Sequence, residues 1–267
     1  MAREGPIAVV TARGRASRLL VLVLQVAFFV VTIGAWEIAA RIGWLDSFFF
    51  SRPSAIGARI VEWVETGYIW PHLFTTLVEA MAAFAIGIAS GVAAGLVLAR
   101  VELLAAVFDP YIRVFNALPR VILAPILIIW FGLGMTSKIA LGVTLVFFVV
   151  FFNTFQGVRE VNPAIVNNAR MLQASNRQLM RYVYLPSAMA WIFSSLHTSI
   201  GFALVGAVVG EYIGSAKGIG YVVSQAQGVF DTTGVFAGLI LTSIVVLGID
   251  LTIERLERYL LRWRPQA

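Results

Sequence analysis

Asn162-Pro-Ala-Ile-Val-Asn-Asn-Ala-Arg-Met-Leu-Gln-Ala-Ser-Asn-Arg-Gln-Leu-Met-Arg-Tyr-Val-Tyr-Leu-Pro186 is the polar interruption on which the reading of this chain turns. Long apolar runs flank it on both sides. The stretch is too polar to cross a bilayer and too patterned to be a plain loop. Asn162 suits an N-cap, and Pro163 suits the first helical position, where a missing N–H costs nothing. That helix is expected to run to about Leu172. Ser175 with Gln178 three residues later reads as a capping box that starts a second helix. The second helix is expected to stop before Pro186, because proline disfavours helix at Leu185. Two short helices at an angle would then present Arg170, Arg177 and Arg181 on one side of a membrane.

The flanking composition makes the membrane explicit. Of 267 residues, 60% are hydrophobic and 13% are charged, with a mean hydropathy of +0.87. Soluble chains carry about a quarter charged residues. The length suits about six spans of roughly 20 residues each. The expected fold class is therefore an all-α, polytopic membrane protein in one domain over residues 19–262. A basic N-terminus (1–18) precedes it and a short tail (263–267) follows. With no cysteine, disulfides and thiolate metal sites are excluded, and His72 and His197 alone form no recognisable metal site. The net charge of +6 sits at segment ends, which sets orientation and gives no nucleic-acid surface.

The spans are expected near residues 19–42, 72–99, 139–156, 188–210 and 235–253, with one more in a proline-broken region. The first is longer than a signal-peptide core and has no cleavage site, so it reads as an uncleaved span. Glu37 lies near its end. Between the first two spans, residues 53–65 carry Ile56, Ile60, Trp63 and Val64 on one face. This reads as an amphipathic helix in the membrane interface, stopped by Gly67. Gly87, Gly91 and Gly95 recur every four residues and form a close-packing stripe, as do Gly206 and Gly210. Asp109-Pro110 reads as a helix start. Beyond it, Pro119 and Pro125 break the apolar run around Arg120. An arginine beside broken helix is either a pathway residue or a side chain reaching the interface. Ser194, Ser195, His197, Thr198 and Ser199 form polar faces expected to look into the protein, with His197 a hydrogen-bonded core residue. Glu79, Glu211 and Asp250 look terminal to their spans, and Lys138 falls just past an outer turn.

Three blocks carry a resemblance. Asn167-Asn-Ala-Arg-Met-Leu-Gln-Ala-Ser175, followed by Leu185-Pro186, resembles the coupling loop of ABC-transporter permeases, more narrowly the binding-protein-dependent importers of the nitrate, sulfonate and taurine type. Ala117-Leu-Pro-Arg-Val-Ile-Leu-Ala-Pro-Ile-Leu-Ile-Ile-Trp-Phe-Gly132 and Glu211-Tyr-Ile-Gly-Ser-Ala-Lys-Gly-Ile-Gly-Tyr221 resemble two further blocks of that family, the last as an outer turn. The chain departs from the family at Asn167 (Glu), Asn168 (Ala) and Gln173 (Gly). Glycine at 173 would allow a positive φ between the two helices. The resemblance implies a type I permease fold in a bacterial inner membrane with both termini cytoplasmic. It also implies a homodimer, two ATP-binding subunits and an external solute-binding protein. Asn167, Asn168, Ala169, Arg170, Gln173, Ala174, Ser175, Leu185 and Pro186, within the loop 159–186, would couple to the ATPase. Arg120, Ser194, Ser195, His197, Thr198 and Glu211 would line a pathway for a small anionic or organic solute. Cofactors are expected on the partner alone, as ATP and Mg.

Charge asymmetry is independent of those motifs. Of the 20 Lys and Arg, six spans place 14 on the coupling side and 5 opposite, with Arg120 set aside. No phosphate-binding Gly-x-x-x-x-Gly-Lys-[Ser/Thr] motif and no nucleophile elbow occurs, so the chain is not expected to be an enzyme. The alternative, an ion-gradient transporter, predicts paired carboxylates within the spans and inverted repeats.

Overall fold

The computed structural model describes the backbone of residues 8–260 and the side chains of residues 20–252, Glu254 and Arg255. The first seven residues and the tail 263–267 lie outside the described residues. Twelve α-helices and no strand occur among them: α1 (Ala8–Arg41), α2 (Ser47–Phe50), α3 (Pro53–Glu65), α4 (Ile69–Arg100), α5 (Glu102–Ala117), α6 (Ala124–Phe131), α7 (Met135–Arg159), α8 (Pro163–Met171), α9 (Asn176–Leu179), α10 (Leu185–Ile213), α11 (Ile219–Gly228) and α12 (Thr232–Leu260). Five continuous stretches are long and apolar enough to cross a bilayer: Leu20–Arg41, Ile69–Arg100, Met135–Arg159, Asn176–Ile213 and Thr232–Thr252. The pair Glu102–Ala117 and Arg120–Phe131 passes the same test but is bent by 87°.

Glycines fix the directions of these helices. A Cβ on Gly87, Gly91 or Gly95 of α4 would press into Val146, Val150 or Thr154 of α7. Each pair is offset by 59 in sequence, so α4 and α7 run parallel. Two parallel neighbours require a crossing between them, and the bent pair is the only candidate, so it counts as the sixth span. Gly206 of α10 lies on the backbone of Gly142, and Gly210 lies on Lys138. Ascending numbers on α10 meet descending ones on α7, so these helices are antiparallel. Small residues permit such approach, and van der Waals packing holds helices together where lipid is as apolar as leucine. Phe84, Val146, Val150, Ile200 and Leu204 fill the resulting core.

At one end of the bundle, α3 departs from the interfacial expectation. Ile56 and Trp63 are buried with Ile69, Val222, Ala237 and Leu241, so the apolar stripe packs on α4, α11 and α12, and only Val64 is exposed. The Glu37 carboxylate accepts from Ser54 N–H (3.0 Å) and Ser54 Oγ (2.8 Å), capping the first turn of α3 from α1. Arg59 Nη1 donates to Asp231 Oδ2 at 2.5 Å. Elsewhere α1 is peripheral, with residues 20–32 exposed.

Two proline readings are corrected. Asp109-Pro110 does not start a helix: α5 begins at Glu102 and carries Pro110 inside. Membrane helices tolerate an interior proline, and Asp109 pairs with Arg113 at 2.9 Å instead of capping. Nor does Pro186 end one. Between α9 and α10 the backbone makes a π-turn, Met180–Tyr184, in which Leu185 N–H reaches back to Met180 O. Pro186 then falls in the first turn of α10, and Ser187 Oγ bonds Val183 O at 2.8 Å. One 38-residue helical stretch results, Asn176–Ile213.

Candidate functional site

The elbow formed by α8 and α9 is a continuous capping device. Asn162 Oδ1 accepts from Ala164 N–H at 2.9 Å and opens α8. α8 closes with Ala174 N–H on Ala169 O (3.0 Å) and Gln173 N–H on Arg170 O (2.9 Å), the paired bonds of a Schellman motif. That motif needs a left-handed residue between them, and Gln173 takes it, at φ +58°. The turn made by glycine in the family is thus made here by glutamine. Ser175 then closes its capping box with Gln178: Ser175 N–H donates to Gln178 Oε1 (2.8 Å) and Gln178 N–H to Ser175 Oγ (3.3 Å). Val166 and Leu179 are buried and hold the elbow to the body. Met171 and Leu172 are more than 80% exposed, and Asn167, Asn168, Arg170, Arg177 and Arg181 of the same elbow are exposed as well. Ala169, Ala174, Leu185 and Pro186 are half-buried. Behind the elbow, Val158, Ala188 and Ile192 pack together, and the Arg100 guanidinium sits 4.2 Å over the Tyr184 ring. An exposed apolar tip is therefore carried on an elbow that continues into α10 and is held to the end of α4 by the Arg100–Tyr184 contact.

Arg120 opens a short 3-10 turn, Arg120–Leu123, at the bend of the broken span. Its Nη2 donates to Asn116 Oδ1 at 2.5 Å, and its guanidinium lies 4.4 Å over the Phe148 ring of α7. On α10, Ser194 and Thr198 are exposed, whereas Ser195 and Ser199 are buried, so the serine and threonine faces do not all look inward as expected. Ser195 Oγ bonds Ile192 O at 2.6 Å. His197 Nδ1 meets Asp250 Oδ1 of α12 at 3.0 Å, a hydrogen-bonded histidine as the sequence implied.

Glu211 departs most from expectation. It is not on an outer turn but buried near the end of α10, together with Glu79 of α4 and Lys138 of α7. Thr76 Oγ1 donates to Glu211 Oε1 (2.7 Å) and Gly220 N–H to Oε2 (2.8 Å). Ile219 N–H donates to Thr76 Oγ1 (2.8 Å), and Gly218 N–H to His72 Nδ1 (3.2 Å). The turn after α10 folds over the carboxylate, and a Cβ on Gly218 or Gly220 would land on Glu211. Lys138 Nζ bonds Leu133 O and, at 3.0 Å, Gly134 O, while Glu79 faces both Glu211 and Lys138. Glu79, Lys138 and Thr76 were missed as site residues. The available signal was the 59-residue offset of the glycine stripe, which Glu79 and Lys138 share. Glu79 and Glu211 do pair, as the ion-gradient alternative requires, but here a lysine completes the group and it closes one end of the bundle. Among the described residues no cluster of His, Cys, Asp and Glu could hold a metal ion.

Comparison with known proteins places this geometry. A permease protein of a riboflavin transport system from Chloroflexus aurantiacus is 29% identical over 85% of each chain. A protein named as an aliphatic sulfonates transport permease in Bacillus subtilis is 31% identical over 88% of this chain and 85% of its own. The crystal structure of an amino acid ABC transporter with histidines superposes with a TM-score of 0.60 over 77% of this chain and 98% of that chain, at 21% identity, which speaks for the fold. Residues 87–262 match the family of binding-protein-dependent transport system inner membrane components. The chain belongs to that family: it is a membrane-spanning permease subunit of an ABC importer, and it is not itself catalytic.

Proposed function

We propose that two copies of this chain form the membrane channel of the importer in a bacterial inner membrane, with both termini cytoplasmic. The elbow docks on a separate ATP-binding subunit, one per copy, which holds ATP and Mg. A solute-binding protein delivers a small organic solute to the opposite end. ATP-driven closure of the ATPase pair pushes the elbows, and the bundle rocks between inward-open and outward-open forms. Arg120 and the exposed hydroxyls of Ser194 and Thr198 border the route, and the elbow residues named above carry the coupling.

One observation supports this reading above others. The exposed tip at Met171 and Leu172 belongs to a device continuous with a 38-residue helical stretch. A push on the tip is therefore delivered along α10 and, through Arg100 and Tyr184, into α4. The test is ATPase activity in proteoliposomes holding this chain, its ATPase and a liganded binding protein. Ala174→Glu and Arg170→Glu should abolish the stimulation by the binding protein while leaving the spans folded. Normal transport by either folded variant would remove the elbow from the mechanism.

A further inference from the structure

We infer that α2 and the end of α11 form an aromatic foot that beds in the headgroup–acyl boundary of the lipid leaflet at the end of the bundle opposite the elbow. The inference goes beyond the transport reading and needs only that α1 and α12 cross a bilayer. Phe48, Phe49 and Phe50 of α2 are exposed, as are Val229 and Phe230 after α11. The Phe48 ring stacks on Phe230 with centroids 6.2 Å apart and meets Phe49 edge-on at 5.0 Å. Trp44, on the same connection, is 86% exposed. The backbone beneath these rings is strained. Phe230 takes the left-handed position of a Schellman turn, at φ +57°, with its own N–H on Gln227 O (3.0 Å) and Asp231 N–H on Ala226 O (2.8 Å). Glycine is the usual residue there, and Gly43 makes the turn after α1, at φ +79°. A bulky side chain at positive φ is an outlier that persists only where its surroundings hold it. Here Asp231 is fixed by Arg59 and by Gly234 N–H (3.0 Å), and Thr232 Oγ1 donates to Phe48 O. The buried Ser51, itself at φ +52°, shares a hydrogen bond with Thr233 Oγ1 (2.7 Å). What this strained frame presents is a ring that is 74% exposed. Such a ring is accounted for when something outside the chain buries it.

Position selects lipid as the cover. The spans Leu20–Arg41 and Thr232–Thr252 end at this level. Trp44 follows the first by three residues, and Phe48 is bonded to Thr232, the first residue of the second. The rings therefore lie where hydrocarbon gives way to headgroups. The exposed apolar surface of α1 runs into them through Ile38 and Ile42, so the foot continues a face that already meets lipid. It also hangs on α1 and α12, whereas the turn over Glu211 joins α10 to α11 and bonds α4. Arg41, Asp46 and Arg52 are exposed beside the rings and supply a polar edge. Phe and Trp with flanking charge settle about 5–10 Å into that boundary.

The chain has no cysteine, so single spin labels can be placed without background. Phe49→Cys and Val229→Cys, with Glu65→Cys of α3 as an exposed reference, are labelled in the permease–ATPase complex in lipid nanodiscs. Collision of each label with oxygen, which concentrates in lipid, is compared with collision with a water-soluble nickel chelate. Labels at 49 and 229 should favour oxygen several-fold more than the label at 65, and adding the solute-binding protein should change neither. Adding Phe230→Gly should shift the label at 49 toward water in complexes that melt normally, because the ring that stacks on Phe48 is gone. Labels at 49 and 229 that favour nickel would overturn the proposal and make the patch a water-facing surface. Protection from nickel only with the binding protein present would assign the patch to that protein instead. Protection from both reagents, with spin–spin broadening, would assign it to a second copy. An unmoved label in folded Phe230→Gly would remove the strained turn from the anchor.

Discussion

The elbow and the buried charge cluster lie at opposite ends of α10 and are built in opposite ways. In the elbow every capping hydrogen bond joins residues two to five apart, as with Asn162 and Ala164 or Ser175 and Gln178. The groups are exposed, so water can replace any one of them. In the cluster, Thr76 and Glu211 are 135 residues apart, Ile219 and Thr76 are 143 apart, and Gly218 and His72 are 146 apart. Thr76, Glu211, Gly218 and Ile219 are buried and have no water to fall back on, so each needs its partner. The difference marks one end as a surface to be gripped and the other as a closure that must not come undone. The helical stretch between them spans roughly 57 Å at 1.5 Å per residue.

Glu211→Ala should have the largest effect. It leaves the buried Gly220 N–H without an acceptor, the Thr76 hydroxyl with only the His72 carbonyl, and Lys138 with Glu79 as its one remaining carboxylate in the cluster. Breaking a buried charged group in this way costs about 3–5 kcal/mol. Thermal unfolding in detergent should show it, with Glu211→Gln milder because an amide oxygen still accepts one bond. If Glu211→Ala melted no earlier than an elbow cap variant, the contrast between the two ends would be wrong. Next is Lys138→Met, which leaves Glu79 facing Glu211 without a cation. It should destabilise by several kcal/mol, and adding Glu79→Gln should recover part of that, with a coupling of about 1 kcal/mol or more in a double-mutant cycle. Additive losses would mean that Glu79 and Lys138 do not share the site.

That distinction also sets what could be read in advance. The caps at Asn162 and Ser175 were legible because each is complete within a few residues. The crossings were legible from composition, and the break at Pro119 and Pro125 from proline chemistry. Pro186 was misread because the rule for the residue before proline assumes α-geometry, and a π-turn moves the bond one carbonyl back. Asp109-Pro110 was misread because an exposed membrane helix can carry an interior proline. The cluster was hidden for a different reason. Glu79, Lys138 and Glu211 each sit near the end of an apolar run, where a charge is unremarked. Their meeting depends on which stripes face each other. Once Gly87 is known to lie on Val146, the same offset carried back two turns puts Glu79 beside Lys138. The antiparallel pairing of Gly210 with Lys138 then brings Glu211 alongside.

The elbow variants should be small and confined to the elbow. Ser175→Ala removes the acceptor for Gln178 N–H and should cost about 1 kcal/mol of local helix stability. Faster hydrogen exchange at Gln178 would show it, with no change at Gly220. Gln173→Gly should act the other way. Gln173 stands at φ +58°, where a side chain costs roughly 1–2 kcal/mol, while glycine gives back part of that gain as unfolded-state entropy. The net should be a stabilisation of about 1 kcal/mol, or about fivefold slower exchange at the Ala174 amide that closes on Ala169. Because this lies within the gripped surface, the sign is informative. If Gln173→Gly tightened the turn but lowered ATPase coupling, the strained glutamine would be serving the docked state: its side chain would be a contact, not a blemish. If coupling held or improved, the turn alone is what the partner reads, and glutamine merely occupies it.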